Sequence, residues 1–396
     1  MAPAIVVLIP AHDEAAQLAS TLRALQQQTR RPDRVVVVCD NCTDDTAVIA
    51  RAAGAEVFET EGNTDKKAGA LNQAFAARFR RSGASRRGAA QDEGTGADRR
   101  ARSDRRAAAA ARPDLADDDL VLVMDADTVL SPRFLEAAAR SLESDERIGA
   151  AGGIFYGDRG AGLLGQLQRN EYTRYGREIA RTGRVMVLTG TGTLFRSRAL
   201  RQVAEQRGTT IPGRPGHVYD TLALTEDNEL TLALKTLGWR MTSPPECVVT
   251  TEIMPTWGDL WRQRLRWQRG ALENLRHYGL TRTTLRYWGQ QLGIGVGVVA
   301  FQLYLLLLLV IALDPGLDFG VTPLWSSVGL VFLAERLVTV WRGGPAARLV
   351  AAPLVVELVY DAFIQAVFVR SLTDLLRGRE ARWHHVTADP ATLRSV

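Results

Sequence analysis

An α/β fold is predicted, with a mostly parallel sheet followed by interfacial and transmembrane helices. Three observations carry that expectation. Runs of strand length alternate with stretches of helical periodicity through the N-terminal half. Acidic residues stand directly after several of those runs, where parallel sheets bind ligands. Long apolar stretches fill most of the chain beyond residue 289.

The elements follow in order. Ile5–Ile9 is an apolar run of strand length, and 14–28 carries Leu18, Leu22 and Leu25 at helical spacing. Val35–Cys39 reads as a second buried strand and Thr43–Ala53 as a second helix. Glu56–Glu59 is a short third strand, and Lys66–Phe79 a helix with Ala70, Leu71, Ala74 and Phe75 inward. Leu120–Met124 is a fourth strand ended by Asp125. Ser131 then fits a helix cap, with Pro132 at the first helical position. Continuous apolar strands between helices indicate a sheet covered on both faces. Residues 81–117 break this order with Arg-Arg pairs and an alanine run, lead into three consecutive aspartates at 117–119, and read as a flexible insertion.

The chain has 396 residues, 46% of them hydrophobic, so a sizeable core can form. A formal charge of +5 comes almost entirely from arginine, since lysine occurs only at 66, 67 and 235. No reading helix or aromatic stacking sheet accompanies the arginines, so a nucleic-acid partner is not expected. Cys39, Cys42 and Cys247 are the three cysteines, an odd number that argues against a disulfide framework. Only one further cysteine could complete a metal set with Cys39-x-x-Cys42, so that pair reads as ordinary packing or a turn.

The apolar run at 6–9 is too short for a secretory signal, which places the first domain in the cytoplasm. Residues 293–313 carry no charge, and a helix of that length rises about 30 Å, enough to cross a bilayer. A second apolar stretch covers 321–341, with Glu335 and Arg336 near one end. A third covers 349–369 and contains Glu357 and Asp361, which should face other helices if it crosses. Arginine before 293 puts the first entry inside, Asp314 and Asp318 suit the outside, and Arg342 and Arg348 return the chain inside. A third crossing would carry Arg370, Arg377, Arg379 and Arg382 outside, against the charge rule. The expectation is therefore a multi-pass protein of the inner cell membrane, with two crossings and a third segment left open. The expected domains are 1–255 (catalytic, with the 81–117 insertion), 256–288 (amphipathic interfacial helices), 289–370 (two or three membrane helices) and 371–396 (a basic tail).

The chemistry-bearing residues form a spaced set. Asp125 and Asp127 follow a buried strand, where paired carboxylates suit Mg²⁺ or Mn²⁺ bridging a diphosphate, with Asp127 as the metal ligand. Asp-x-Asp is also a common turn. Asp40 follows another strand and can accept from a nucleobase or ribose, or cap residues 41–44. Thr225-Glu226-Asp227 precedes a helix expected at 228–237, and Asp227 suits a base that takes the proton of an attacking hydroxyl; a helix cap fits the same place. In Gln263-Arg264-Leu265-Arg266-Trp267, Arg266 offers bidentate donors to phosphate and Trp267 an apolar ring for a sugar. The surrounding Trp257, Leu260 and Trp261 also fit an amphipathic interfacial helix.

Over about residues 4–280 this set resembles the family 2 inverting glycosyltransferases, nearest to the membrane polysaccharide synthases of cellulose, hyaluronan, chitin and poly-N-acetylglucosamine. The resemblance implies a GT-A-like nucleotide-sugar-binding domain. It makes Pro10, Ala11 and Glu14 part of the first nucleotide-binding loop, with Asp13 where Asn is frequent. It brings Lys67 to the nucleotide, and Asp40, Asp125 and Glu226 to the donor. It places Gly192 and Thr193 near the acceptor end, and Gln263, Arg264 and Trp267 in the acceptor motif. It also implies that 163–179 is an interfacial helix whose Tyr172, Arg174 and Tyr175 contact lipid or pack. Asp227 and Arg266 are the implied catalytic pair. The implied reaction moves a sugar, N-acetylglucosamine above all, from a UDP-sugar to a growing glycan at the membrane, with Mg²⁺ or Mn²⁺. Single transfer to a membrane lipid is the enzymatic alternative, and an inactive membrane scaffold the non-enzymatic one. The few C-terminal helices leave room for a partner subunit or self-association.

Overall fold

A computed structural model describes residues 3–78, 115–313 and 323–379. Residues 81–114 of the expected insertion, Asp314, Asp318 and the basic tail from 380 lie outside the described residues. The chain forms two compact units. One comprises Met1–Phe155, Thr182–Leu222 and Glu226–Thr251; the other comprises Tyr156–Arg181, Ala223–Thr225 and Glu252–Val396.

The first unit is built on β1 (Ile5–Ala11), β2 (Arg34–Cys39), β3 (Glu56–Glu59) and β4 (Leu120–Met124). It adds β6 (Ile148–Gly152), β8 (Gly192–Arg196) and β9 (Arg240–Thr242), in the order β3-β2-β1-β4-β8-β6-β9. β1 and β4 are buried along their whole length, as two-sided cover requires. Around them stand α1 (Leu18–Gln26), α2 (Thr46–Ala52), α3 (Lys66–Arg78), α4 (Phe134–Ser144), α6 (Ser197–Gln206) and α7 (Glu226–Thr236). Leu18, Leu22 and Leu25 of α1 enter the core, as their spacing implies.

The sheet is mixed. β3, β2, β1 and β4 run parallel, but β8 is antiparallel to both β4 and β6, while β6 and β9 pair in parallel. The reversal positions the site. Met124 of β4 lies opposite Gly192 of β8, so the residues entering β8 stand beside Asp125, which leaves β4. A smaller sheet has the order β5 (Val129–Leu130), β10 (Val248–Thr251) and β7 (Ile154–Gly157). Ser131 is not a cap. Its hydroxyl donates to the Glu246 carbonyl at 2.7 Å, and α4 begins only at Phe134.

The second unit contains α5 (Gly162–Thr182), α8 (Trp257–Tyr278), α9 (Leu285–Leu313), α10 (Pro323–Thr339), α11 (Gly344–Ala351) and α12 (Leu354–Leu376). Leu164 and Leu167 of α5, Leu260 of α8 and Tyr360 of α12 form its core cluster. Tyr172 is buried, and Arg174 pairs with the buried Glu357 at 2.9 Å, so both pack within the bundle.

Among the described residues one helix is long and apolar enough to cross a membrane: α9, with 29 residues, mean hydropathy 2.7 and 6% of its apolar window buried. Two crossings are expected from the sequence, and one helix meets the requirement on its own among the described residues. The described residues of α10 number 17, and α10 is not among the helices that pass on length and hydropathy. The third apolar stretch is broken at Pro353, which supplies no N–H donor and turns the chain by 97° between Trp341–Ala351 and Leu354–Leu376. Taken together, that bent pair is the other candidate span. Glu357 and Asp361 do face other helices: Arg336 of α10 lies 3.4 Å from Glu357 and 2.6 Å from Asp361.

Candidate active site

Carboxylates and one lysine converge where the parallel strands end. Lys67, in the first turn of α3, places Nζ 2.5 Å from Asp125 Oδ1 and 3.2 Å from Glu226 Oε1. Burial works against its charge, but the two carboxylates more than offset this and raise its pKa. Asp227, beside Glu226 at the start of α7, accepts N–H groups from Asn228 at 2.7 Å and Gly190 at 3.2 Å. Burial foremost, then the neighbouring Glu226 charge, push the Asp227 carboxyl up to about 6, against the pull of Lys67. A small cavity is bounded by Lys67, Gly190, Thr193, Tyr219, Glu226 and Asp227.

The α7 face that presents Asp227 is held by the incoming strand. Residues 227, 231 and 235 recur every four positions and so share one helix face. Asp227 accepts from Gly190, the Thr231 hydroxyl accepts from the Leu188 amide at 2.9 Å, and Lys235 donates to the Val185 carbonyl at 2.6 Å. A Cβ at Gly190 would lie 3.4 Å from both Asp227 Oδ2 and Lys67 Nζ, so this glycine stands directly against the carboxylate and the lysine.

Asp40 is buried at the end of β2. Its Oδ1 accepts from Thr60 at 2.8 Å, Asn63 at 2.8 Å and Asn41 at 3.2 Å. Pro10 and Ala11 close β1 and are buried, and the Ala11 carbonyl accepts from the Asp40 amide at 2.8 Å. The Glu14 amide donates to Thr46 at 2.8 Å. Asp13 takes a left-handed φ of 58°, and its Oδ1 accepts from the Thr43 amide at 2.6 Å, which holds its carboxyl below the usual range. Asp13, Cys42 and Asp44 bring donor atoms within 4.8 Å of one another, but both carboxylates already accept loop N–H groups, which accounts for the grouping.

Asp127 stands two residues past β4, and its Oδ1 accepts from the Thr128 hydroxyl at 3.2 Å. Gly192 and Thr193 are buried in β8, and the Thr193 hydroxyl donates to the Thr189 carbonyl at 2.8 Å.

In the second unit, α8 carries Gln263, Arg264, Arg266 and Trp267. Arg264 is buried and donates to Gln263 at 2.6 Å and to Glu171 at 2.9 Å. Its guanidinium lies 4.3 Å from the Trp267 ring centroid, covering one face. Glu171 also accepts from the Tyr360 hydroxyl at 2.5 Å.

Sequence reasoning missed three supports. Asn72 exchanges two 2.9 Å bonds with the Tyr219 backbone, fixing α3 against the cavity wall. Arg207 and Glu229 form a fully buried ion pair under α7. The 185–190 segment had no signal beyond Gly190 at its end.

Residues 3–270 match the model of the family described as glycosyltransferase like family 2. The chain belongs to that family. It is 28% identical over 280 residues to the probable glycosyltransferase YdaM of Bacillus subtilis, covering 68% of this chain and 55% of that one. It is 28% identical over 177 residues to the poly-beta-1,6-N-acetyl-D-glucosamine synthase of Staphylococcus aureus, covering 43% and 40%. The chain thus spans about half the length, or less, of these curated relatives. Its fold is similar to that of the mannosyltransferase PcManGT from Pyrobaculum calidifontis, solved with GDP-Man and Mn²⁺. The TM-score is 0.57 and the identity 16%, over 96% of this chain and 89% of that one.

Proposed function

We propose that the protein is an inverting glycosyltransferase that moves N-acetylglucosamine from a UDP-sugar to a growing glycan at the membrane interface. The observation that carries this reading is Asp227: a half-buried carboxylate with a raised pKa, bordering a cavity shared with Lys67 and Glu226. Family membership supports the reaction class, and the Staphylococcus aureus relative supports the sugar. The long, exposed, apolar α9 supports the membrane setting.

In this mechanism Asp227 accepts the proton of the acceptor hydroxyl as its oxygen attacks the anomeric carbon. The bond from that carbon to the diphosphate breaks, and the configuration inverts. Lys67 holds Asp125 and Glu226 in place, and Asp40 receives the nucleoside. Arg266 stabilises the charge on the departing diphosphate and Trp267 contacts the acceptor sugar; both roles rest on the motif. Asp127, with Asp125, is an oxygen donor set that fits Mg²⁺ or Mn²⁺. When bound, the ion would neutralise charge on the diphosphate.

Two measurements test the reading. Because the base must be ionised, kcat/KM is expected to rise with pH through about 6 and level off above it. A profile flat from about pH 5 to about pH 7, roughly one unit either side of that value, removes Asp227 from the role. The other is product sizing with purified protein, a panel of UDP- and GDP-sugars, and Mg²⁺ or Mn²⁺. A ladder of lengthening saccharides is expected with UDP-N-acetylglucosamine. A single lipid-linked product would establish the second reading, transfer to a membrane lipid, which the exposed α9 surface also favours.

A further inference from the structure

The cavity beside Asp227 is too small for any sugar. Side chains alternate along β4 and β8, so Leu122 and Leu194 face the main core. Val123 and its register partner Thr193 face the other way and line the cavity. Its volume is about 10 Å³, room for one water and not for a sugar ring. Val123, Leu188, Phe195 and Leu230 form its apolar part, and Lys67, Tyr219 and Asp227 bring polar groups to it.

These polar groups keep capacity for a small ligand. An ammonium carries three protons, and Lys67 directs two of them at Asp125 and Glu226, 2.5 and 3.2 Å away. A carboxylate has about four acceptor sites. Asp227 accepts one amide at each oxygen, from Asn228 at 2.7 Å and from Gly190 at 3.2 Å.

Tyr219 is fixed through its main chain. Its amide and carbonyl exchange 2.9 Å bonds with Asn72, and the preceding carbonyl, of Val218, accepts from the buried Arg207 at 2.7 Å. Tyr219 is 3% exposed, and its ring centroid lies 6.3 Å from that of Phe75. Burial foremost pushes its hydroxyl up, opposed by Lys67 and reinforced by Glu226 and Asp227, so the group stays protonated and can donate.

We propose that this cavity is a water site and that Tyr219 is a positioning residue: its hydroxyl and Lys67 hold one water, which donates a hydrogen bond to the Asp227 carboxylate. The water oxygen accepts from the tyrosine and the lysine, and one of its hydrogens goes to Asp227. That makes three bonds, the usual number for a buried water. A donor to the charged form favours that form, so the water keeps the base ionised at a lower pH than a dry cavity would. The groups that face Asp227 are Glu226 on its own helix, Lys67 on α3, Tyr219 from the 207–220 segment, and the Gly190 and Asn228 amides. The consequence for catalysis rests on the reading of Asp227 as the base, whereas the water site does not.

The test uses the purified full chain in detergent. Tyr219→Phe removes the hydroxyl and keeps the ring, and Val123→Ile adds one methyl group from the sheet side to take the water's space. In each variant the rise of kcat/KM with pH is expected to move up by about one unit, the scale of one hydrogen bond to a charged group. The value reached at high pH should fall by less than about threefold, because the base is then ionised in both proteins. Both substitutions delete the same water, so Val123→Ile/Tyr219→Phe should move the rise no further than either single variant. A rise that stays in place in either single variant, or shifts that add in the double variant, overturn the proposal. An equal loss at every pH overturns it as well, since that marks a structural role. A crystal structure of the full chain at a resolution that shows ordered water supplies a readout independent of activity. One water bonded to Tyr219 Oη and an Asp227 oxygen is expected, and an ordered site without it overturns the proposal. If that water is present and the wild type transfers no sugar from any donor, the functional reading falls and the water site stands.

Discussion

Asp227→Asn is expected to lower glycosyl transfer by about 10²–10⁴-fold, the contribution of a positioned general base. UDP affinity is expected to stay within roughly threefold of wild type, because the substitution removes a proton acceptor and leaves a side chain of the same shape. The amide oxygen can still accept from Asn228 or Gly190, so the start of α7 keeps part of its bonding. Stability provides the control. The folded pKa lies above the ordinary carboxylate value, so the folded protein binds this proton more tightly than the unfolded chain. The ionised group therefore costs stability above pH ~6, and the cost disappears below the unfolded value near 4. The variant should melt no lower than wild type at pH 7.5, a pH above both values. Lost transfer with an unchanged or higher melting temperature places the defect in chemistry. Unchanged transfer removes Asp227 from the mechanism.

Much of this arrangement could be read from residues in order. β1, β2 and β4 are runs of buried aliphatic side chains, and such runs have few other places to go. The acids that end them carry over to the site for the same reason. The reversal at β8 was not legible. Gly192–Arg196 shows a strand's composition, but direction is set by the partners it meets, here β4 and β6. β6 and β9 are short and contain glycine or polar residues, so their place depends on neighbours rather than on local pattern. In the apolar C-terminal stretches hydropathy found the segments but overstated their continuity. Pro353 was visible, and the residue before a proline is biased out of the helical conformation, so the break at α11–α12 had a signal that apolar length obscured.

Buried charge was the least legible feature, and it yields the largest expected loss of stability. Arg207 is 0% exposed and Glu229 2% exposed, yet neither stands in a sequence motif that marks it. The guanidinium meets the carboxylate through both nitrogens, at 2.5 and 2.7 Å, and also donates to the Pro212 and Val218 carbonyls at 2.8 and 2.7 Å. This ties α7, two residues past Asp227, to the segment leading into Tyr219 of the cavity wall. Glu229→Gln keeps the volume but sets an amide donor against a guanidinium donor and leaves the arginine charge uncompensated. Breaking a buried pair in this way costs about 3–5 kcal/mol. For a unit of this size that corresponds to a fall of roughly 6–20 °C in melting temperature, measurable by thermal shift on the full chain in detergent. Arg207→Met combined with Glu229→Leu should recover most of the loss, since matched apolar side chains remove both charges together. If the double variant melts as low as Glu229→Gln, the carbonyls of Pro212 and Val218, left without their donor, outweigh the ion pair in holding α7. A single variant that melts with wild type would instead require water to reach the pair.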